Sequence, residues 1–226
     1  MGRWSEVGPK RRWWHVGALG LVLLSVSLLQ GEGTPATAGR RGAPTDTSVS
    51  ASVLFVGDSI MRSVVAPVQS ALVDRAAGRA ATFNASGGLG VDDSPYVASR
   101  IATATAVAGG FSAIVVNLGA NDTLEGYVTQ NPASHMRRIL NAAGPTPVLW
   151  VNQAETLPKH DVAAVGYNDA LRATADQYPN MTVVDWGALL DQHHEYLNPD
   201  NLHLNPQGQA ALAQVIVNAL DQELGG

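Results

Sequence analysis

Ser59, Asn121, Asp200 and His203 are the side chains that acyl transfer to and from a hydroxyl requires, and each sits at a distinctive place in the chain. Ser59 closes the run Val53-Leu54-Phe55-Val56-Gly57-Asp58-Ser59, Asn121 lies in Gly119-Ala120-Asn121-Asp122 after a second apolar run, and His203 lies in Asp200-Asn201-Leu202-His203-Leu204-Asn205-Pro206. A serine hydroxyl is a weak nucleophile until a base takes its proton during attack. Imidazole is neutral near pH 7 yet readily protonated, so it can take that proton and return it to the leaving group. Asp200, three residues before His203, is close enough along the chain to reach Nδ1, fix the tautomer and stabilise the imidazolium. The NH₂ of Asn121 and the backbone N–H of Ser59 are candidate donors to a developing oxyanion. Gly87-Gly88-Leu89-Gly90 offers a further N–H, with no side chain to block close approach.

Taken singly, each residue also has an ordinary use. Ser59 could cap a helix, Asn121 could close a strand-to-helix turn, and His203 could be a surface histidine beside a helix cap. His193 and His194 compete as bases, but Asp191-Gln192-His193-His194-Glu195 reads as solvated surface. A metal site built there lacks further ligands at fixed spacing. The glycines are not a phosphate loop, since no Gly-Lys-Ser/Thr follows, and Gly57-Asp58-Ser59-Ile60-Met61 lacks the second glycine of the Gly-x-Ser-x-Gly elbow.

The elements that must position these groups follow from hydrophobic patterning. Apolar runs at 53–56, 81–84, 113–118, 147–151 and 182–184 are continuous rather than alternating, as in parallel strands covered on both faces. Helical stretches are expected over 62–77, 95–108, 132–143 and 162–177; Pro67 makes the first start late or bend. In the last helix Asn205 can cap, Pro206 suits the first turn, and Leu212, Val215, Ile216, Ala219 and Leu220 form one face. Alternating β and α units of this size predict a doubly wound, three-layer α/β/α domain with a central parallel sheet of about five strands. Sites in such sheets form at the carboxyl ends of the strands, where Ser59, the Gly87–Gly90 segment and Asn121 all fall.

The four blocks, in this order, resemble the SGNH/GDSL hydrolase family: Gly57-Asp58-Ser59, a glycine after the second strand, Gly-x-Asn-Asp after the third, and Asp200-x-x-His203 before the last helix. The similarity spans residues 52–220 and includes Asn205-Pro206-Gln207-Gly208. It implies a flavodoxin-like sheet, Ser59 as nucleophile, His203 as base and Asp200 as its orienter. It also implies an oxyanion hole of the Ser59 N–H, a glycine N–H and Asn121. Gly88 is the first choice for the glycine and Gly90 the second. The implied activity is a serine esterase working through an acyl-serine, with no cofactor and no metal, on a small-molecule or glycan ester. O-acyl transfer to cell-envelope glycans and a non-catalytic binding domain are the competing readings. Tyr96, Leu124 and Tyr127 are candidates for either pocket walls or packing.

Composition bounds the setting. The chain has 226 residues, 46% hydrophobic and 15% charged, enough for one domain with a core. Arg3, Lys10, Arg11 and Arg12 precede an apolar stretch from Val16 to Leu29, and Ala36-Thr37-Ala38 follows. These are the parts of a signal peptide over 1–38, with cleavage expected after Ala38; uncleaved, the segment would be an N-terminal anchor. Residues 39–50 read as a flexible linker and 51–226 as the catalytic domain. From Gly39 onward 10 Lys and Arg face 17 Asp and Glu, near −7, which argues against nucleic acid as a partner. Cysteine is absent, so no disulfide is expected to support a secreted, extracytoplasmic product of bacterial type. With the leader removed, no stable membrane association is expected.

Overall fold

The structure, a computed structural model, describes residues 52–75, 79–124, 128–158 and 160–225. The expected leader and linker lie outside the described residues.

Val53, Leu54, Phe55 and Val56 are at most 1% exposed, which a strand achieves only in the middle of a sheet covered on both faces. That strand, β1 (Ser52–Gly57), is joined by β2 (Ala80–Ala85), β3 (Ala113–Asn117), β4 (Val148–Val151) and β5 (Met181–Val184) in the order β2-β1-β3-β4-β5, every pair parallel. The five apolar runs thus become the five strands of a three-layer α/β/α fold.

Side chains alternate across the sheet and split the core in two. Val53 and Phe55 pack with Val68 and Leu72 of α2 (Val65–Val73) and with Leu212 and Ile216 of the final helix. Leu54 and Val56 pack with Ile101 of α3 (Ser94–Ala108), Ile139 of α4 (Pro132–Ala143) and Leu171 of α5 (Asp161–Ala175). A short α6 (Gly187–Gln192), absent from the sequence reading, follows β5.

Two helices differ from expectation. The helix expected over 62–77 begins instead at Ser59, as α1 (Ser59–Ser63), breaks at Val64, and resumes as α2. Asp58 caps α1 through its side chain, while Pro67, lacking an N–H, falls in the first turn of α2, where none is needed. In α7 (Pro206–Leu224), Asn205 caps with Oδ1 accepting the Gly208 N–H at 3.0 Å, a contact worth about 1 kcal/mol. The buried stripe is Leu212, Ala213, Ile216, Val217 and Leu220; Val215 and Ala219 are only partly covered, so the helix is rotated slightly from the expected face.

Register brings the site together. Gly57 pairs with both Ala85 and Asn117, so β2, β1 and β3 end level with one another. The segments that follow, with Ser59, Gly87–Gly90 and Asn121, therefore leave the sheet on one rim.

Candidate active site

Ser59 is the first residue of α1, where a backbone N–H has no intrahelical acceptor. Glycine precedes it for a packing reason: a Cβ at Gly57 would stand 2.5 Å from the Asn117 carbonyl oxygen and from the Met61 Cβ. Ser59 Oγ lies 3.1 Å from His203 Nε2, although 144 residues separate them. His203 Nδ1 lies 2.8 Å from Asp200 Oδ2, and Asp200 Oδ1 accepts the N–H groups of Leu202 and His203 at 3.0 Å each. One carboxylate thus folds its own loop and orients the imidazole. The loop is pinned by the antiparallel bridge between Leu197 and Leu204 and by Asn205 Nδ2, which donates to the Glu195 carbonyl at 2.6 Å. The hydrogen bond with His203 holds the Asp200 carboxyl below the usual carboxylate range.

The opposite side of Ser59 is braced from within. Asp58 is fully buried, its Oδ1 accepts the Ile60 N–H at 2.8 Å, and its Oδ2 faces Asn121 Nδ2 at 3.4 Å. The other Nδ2 hydrogen of Asn121 has the Leu89 carbonyl at 2.9 Å. Asp122, 3% exposed, accepts the Val91 N–H on both oxygens, at 2.8 and 3.0 Å, and the Thr129 hydroxyl at 2.7 Å. Asp58 therefore joins the serine turn to the asparagine turn, and Asp122 joins the asparagine turn to the glycine loop. Burial pushes the Asp58 carboxyl up to about 7, and the nearby Asp122 charge adds to that, against the opposing Ile60 N–H. Burial likewise raises Asp122, against the hydrogen bonds from Thr129 and Val91.

The two candidate glycines differ. The Gly90 N–H already donates to Asp93 Oδ2 at 3.1 Å, and a Cβ there would stand 2.6 Å from Asp122 Oδ1, so this glycine serves packing. Gly88 is exposed on the rim with φ of +78°, a backbone conformation that favours glycine, and its missing side chain would face open space.

A cavity of about 30 Å³ opens on the far side of the relay, lined on its apolar part by Ile60, Ala120, Leu157, Trp186, Leu202 and Leu204. Asn117 also faces it, with a buried Nδ2 that has no partner. Of the aromatic and aliphatic candidates for pocket walls, Tyr96 is 40% exposed and lies under Arg100, Leu124 is not in this lining, and Tyr127 lies outside the described residues. His193 is turned away from the relay, pairing with Glu195 at 2.7 Å and stacking on Tyr196. Among the described residues no three His, Cys, Asp or Glu side chains gather as metal ligands, and no helix is long and apolar enough to cross a membrane.

Sequence reasoning missed Asp58, Asp122 and Asn117 as parts of this site. Asp58 carried a usable signal, an acidic residue two positions before a free helical N–H, and Asn117 was a polar residue inside the apolar run of β3; the burial of Asp122 depends on loops that meet only in three dimensions.

Residues 55–211 match the model of the GDSL-like lipase/acylhydrolase family, and the chain belongs to that family of hydrolases and acyltransferases. A 108-residue stretch, 48% of the chain, is 32% identical to YrhL of Bacillus subtilis (strain 168), assigned as a peptidoglycan O-acetyltransferase; it spans only 15% of that protein's length. Similar solved structures include TesA, at 19% identity and a TM-score of 0.64 over 76% of this chain and 99% of that one. Others are the catalytic domain of the peptidoglycan O-acetyltransferase OatA of Streptococcus pneumoniae (18%, 0.63, 77% and 95%) and a carbohydrate esterase of family 3 from Talaromyces cellulolyticus (19%, 0.62, 76% and 97%). At these identities the structural likeness establishes the SGNH hydrolase fold.

Proposed function

We infer that this family member is an extracytoplasmic serine esterase, cleaving carboxylic esters through an acyl-serine held by Ser59. The observation that carries this reading is the continuous relay from Ser59 Oγ to His203 Nε2 at 3.1 Å and from Nδ1 to Asp200 at 2.8 Å. Ser59 Oγ attacks the ester carbonyl while Nε2 takes its proton. The tetrahedral oxyanion is met by the N–H groups of Ser59 and Gly88 and by the Asn121 Nδ2–H that points weakly at Asp58. Collapse expels the alcohol, which receives the proton from His203. A water then gives its proton to His203, attacks the acyl-serine and releases the acid. The small cavity flanked by Ile60, Ala120 and Leu202, the chain neighbours of Ser59, Asn121 and His203, has room for an acetyl-sized group.

Acyl transfer to a saccharide is the second reading, favoured by the 32% identity with YrhL over 108 residues. It changes only the acceptor that enters when water otherwise would. Ser59→Ala is expected to lower 4-nitrophenyl acetate hydrolysis by at least about 10⁴-fold and to abolish fluorophosphonate labelling, with an unchanged circular dichroism spectrum. Equal labelling of both proteins would remove Ser59 from the mechanism. Adding a chito-oligosaccharide acceptor separates the two readings: acetylated sugar at the expense of acetate identifies transfer, and acetate alone identifies hydrolysis.

A further inference from the structure

The two flanks of Ser59 are chemically unlike. Strand order puts β3, β4 and β5 on one side of β1 and β2 alone on the other. The enclosed, mostly apolar cavity lies over β3 to β5, lined by residues that follow those strands, Ala120, Leu157 and Trp186 among them. Over β2 the rim is open: Gly87 and Gly88 are exposed, and a side chain at Gly88 would meet nothing within 4 Å.

A guanidinium faces that open flank, with the exposed Asp92 at the far end of the same glycine loop, beside Gly90. Arg62, three residues after Ser59 and hence on the neighbouring turn of α1, is exposed, and a Cβ at Gly87 would stand 3.9 Å from its Nη1 and Nη2. Those guanidinium nitrogens are thus one residue from the Gly88 N–H. The ion pairs among the described residues use Arg75, Arg79, Arg172, His193 and His203, and none uses Arg62. In a chain of net charge −5 it is a cation with its donors unspent, at the mouth of the site.

We propose that Arg62 receives an anionic oxygen group, a carboxylate or a phosphate, carried on the alcohol portion of the ester, so that the preferred substrate is an acylated acidic saccharide. This rests on Ser59 being the nucleophile. An acyl group directed into the cavity leaves the alcohol on the opposite flank, over Gly87 and Gly88. There a planar guanidinium can take two oxygens of a carboxylate or phosphate side by side. Neither flank offers the acyl group the same recognition.

The test compares kcat/KM for acetate release from a singly acetylated methyl glucoside, the matching methyl glucuronoside and the matching 6-phosphate. The wild type is expected to favour the anionic esters by roughly tenfold, less at high salt. That ratio should collapse toward one in Arg62→Ala and reverse in Arg62→Glu, a change of sign that a merely structural role does not give. Preference for the uronate over the phosphate, or the opposite, identifies the source of the anion. An unaltered ratio in both variants overturns the assignment.

Affinity for the unacetylated methyl glucuronoside and methyl glucoside, followed by NMR titration of wild type and Arg62→Glu, needs no turnover. Charge-selective binding lost in Arg62→Glu, from a protein releasing no acetate, supports Arg62 and sinks the acyl-serine. Hydrolysis of all three esters without charge preference does the reverse.

Discussion

The two halves of the candidate site are built on opposite physical plans. On the oxyanion side two carboxyls, Asp58 and Asp122, are buried to 0% and 3% exposure and bridge separate turns. On the proton-relay side the His203 and Asp200 side chains are 41% and 50% exposed, and both ride on one loop. Donors aimed at a developing charge are effective when they are fixed before reaction, which favours interior bracing. A base that must exchange protons with alcohol and water is served by access to solvent, and its carboxylate partner then works in a screened setting. The difference shows which half depends on packing and which on local sequence.

Changes at three positions would break or sharpen this contrast. Asn121→Ala removes the proposed oxyanion donor and is expected to lower kcat by about 10² to 10³-fold with little change in KM. A loss of only two- to threefold would move the oxyanion hole elsewhere.

Asp200→Ala strikes the exposed half and should cost less, roughly tenfold, because water can take over the hydrogen bond to Nδ1 and an exposed ion pair is worth at most about 1 kcal/mol. Asp200→Asn should cost more than the alanine variant, since its amide can donate to Nδ1 and hold the tautomer with the proton on Nε2. Equal losses in kcat/KM for the two variants would remove the tautomer argument.

The third effect is on stability rather than on rate. Asp58 has a folded pKa near 7 against an ordinary 3.8, so between those values the folded protein holds the extra proton. Its contribution is therefore most favourable at low pH and is lost as pH rises through the window, at a limit of about 1.4 kcal/mol per pH unit. Asp122 is shifted in the same direction. Asp58→Asn keeps an oxygen for the Ile60 N–H and cannot ionise, so denaturant unfolding from pH 5 to pH 8 should show a shallower decline than in wild type. Parallel slopes would show that Asp58 does not titrate there.

The same contrast governs what could be read from the sequence. The relay side was legible because Asp200 and His203 are three residues apart, and a spacing is a statement about local chain reach. The strands were legible because β1, β3 and β4 are buried on both faces and carry unbroken apolar runs. The break at Val64 was not, since Pro67 announces a disturbance in a helix without saying on which side of it the chain resumes. The oxyanion bracing was hidden for another reason: Asp122 meets Val91 across 31 residues, and a buried carboxylate in sequence looks like a soluble one. The choice between Gly88 and Gly90 likewise needed the Asp93 and Asp122 side chains in place.

The hydroxyl of position 59 leaves the ribosome or an export channel well before its imidazole, which trails by 144 residues. Until the closing segment arrives and docks beside β1, the emerging polypeptide carries a bare alcohol with nothing to draw off its proton. On the proposed relay, any chain truncated before residue 203 lacks its base and is expected to be inert.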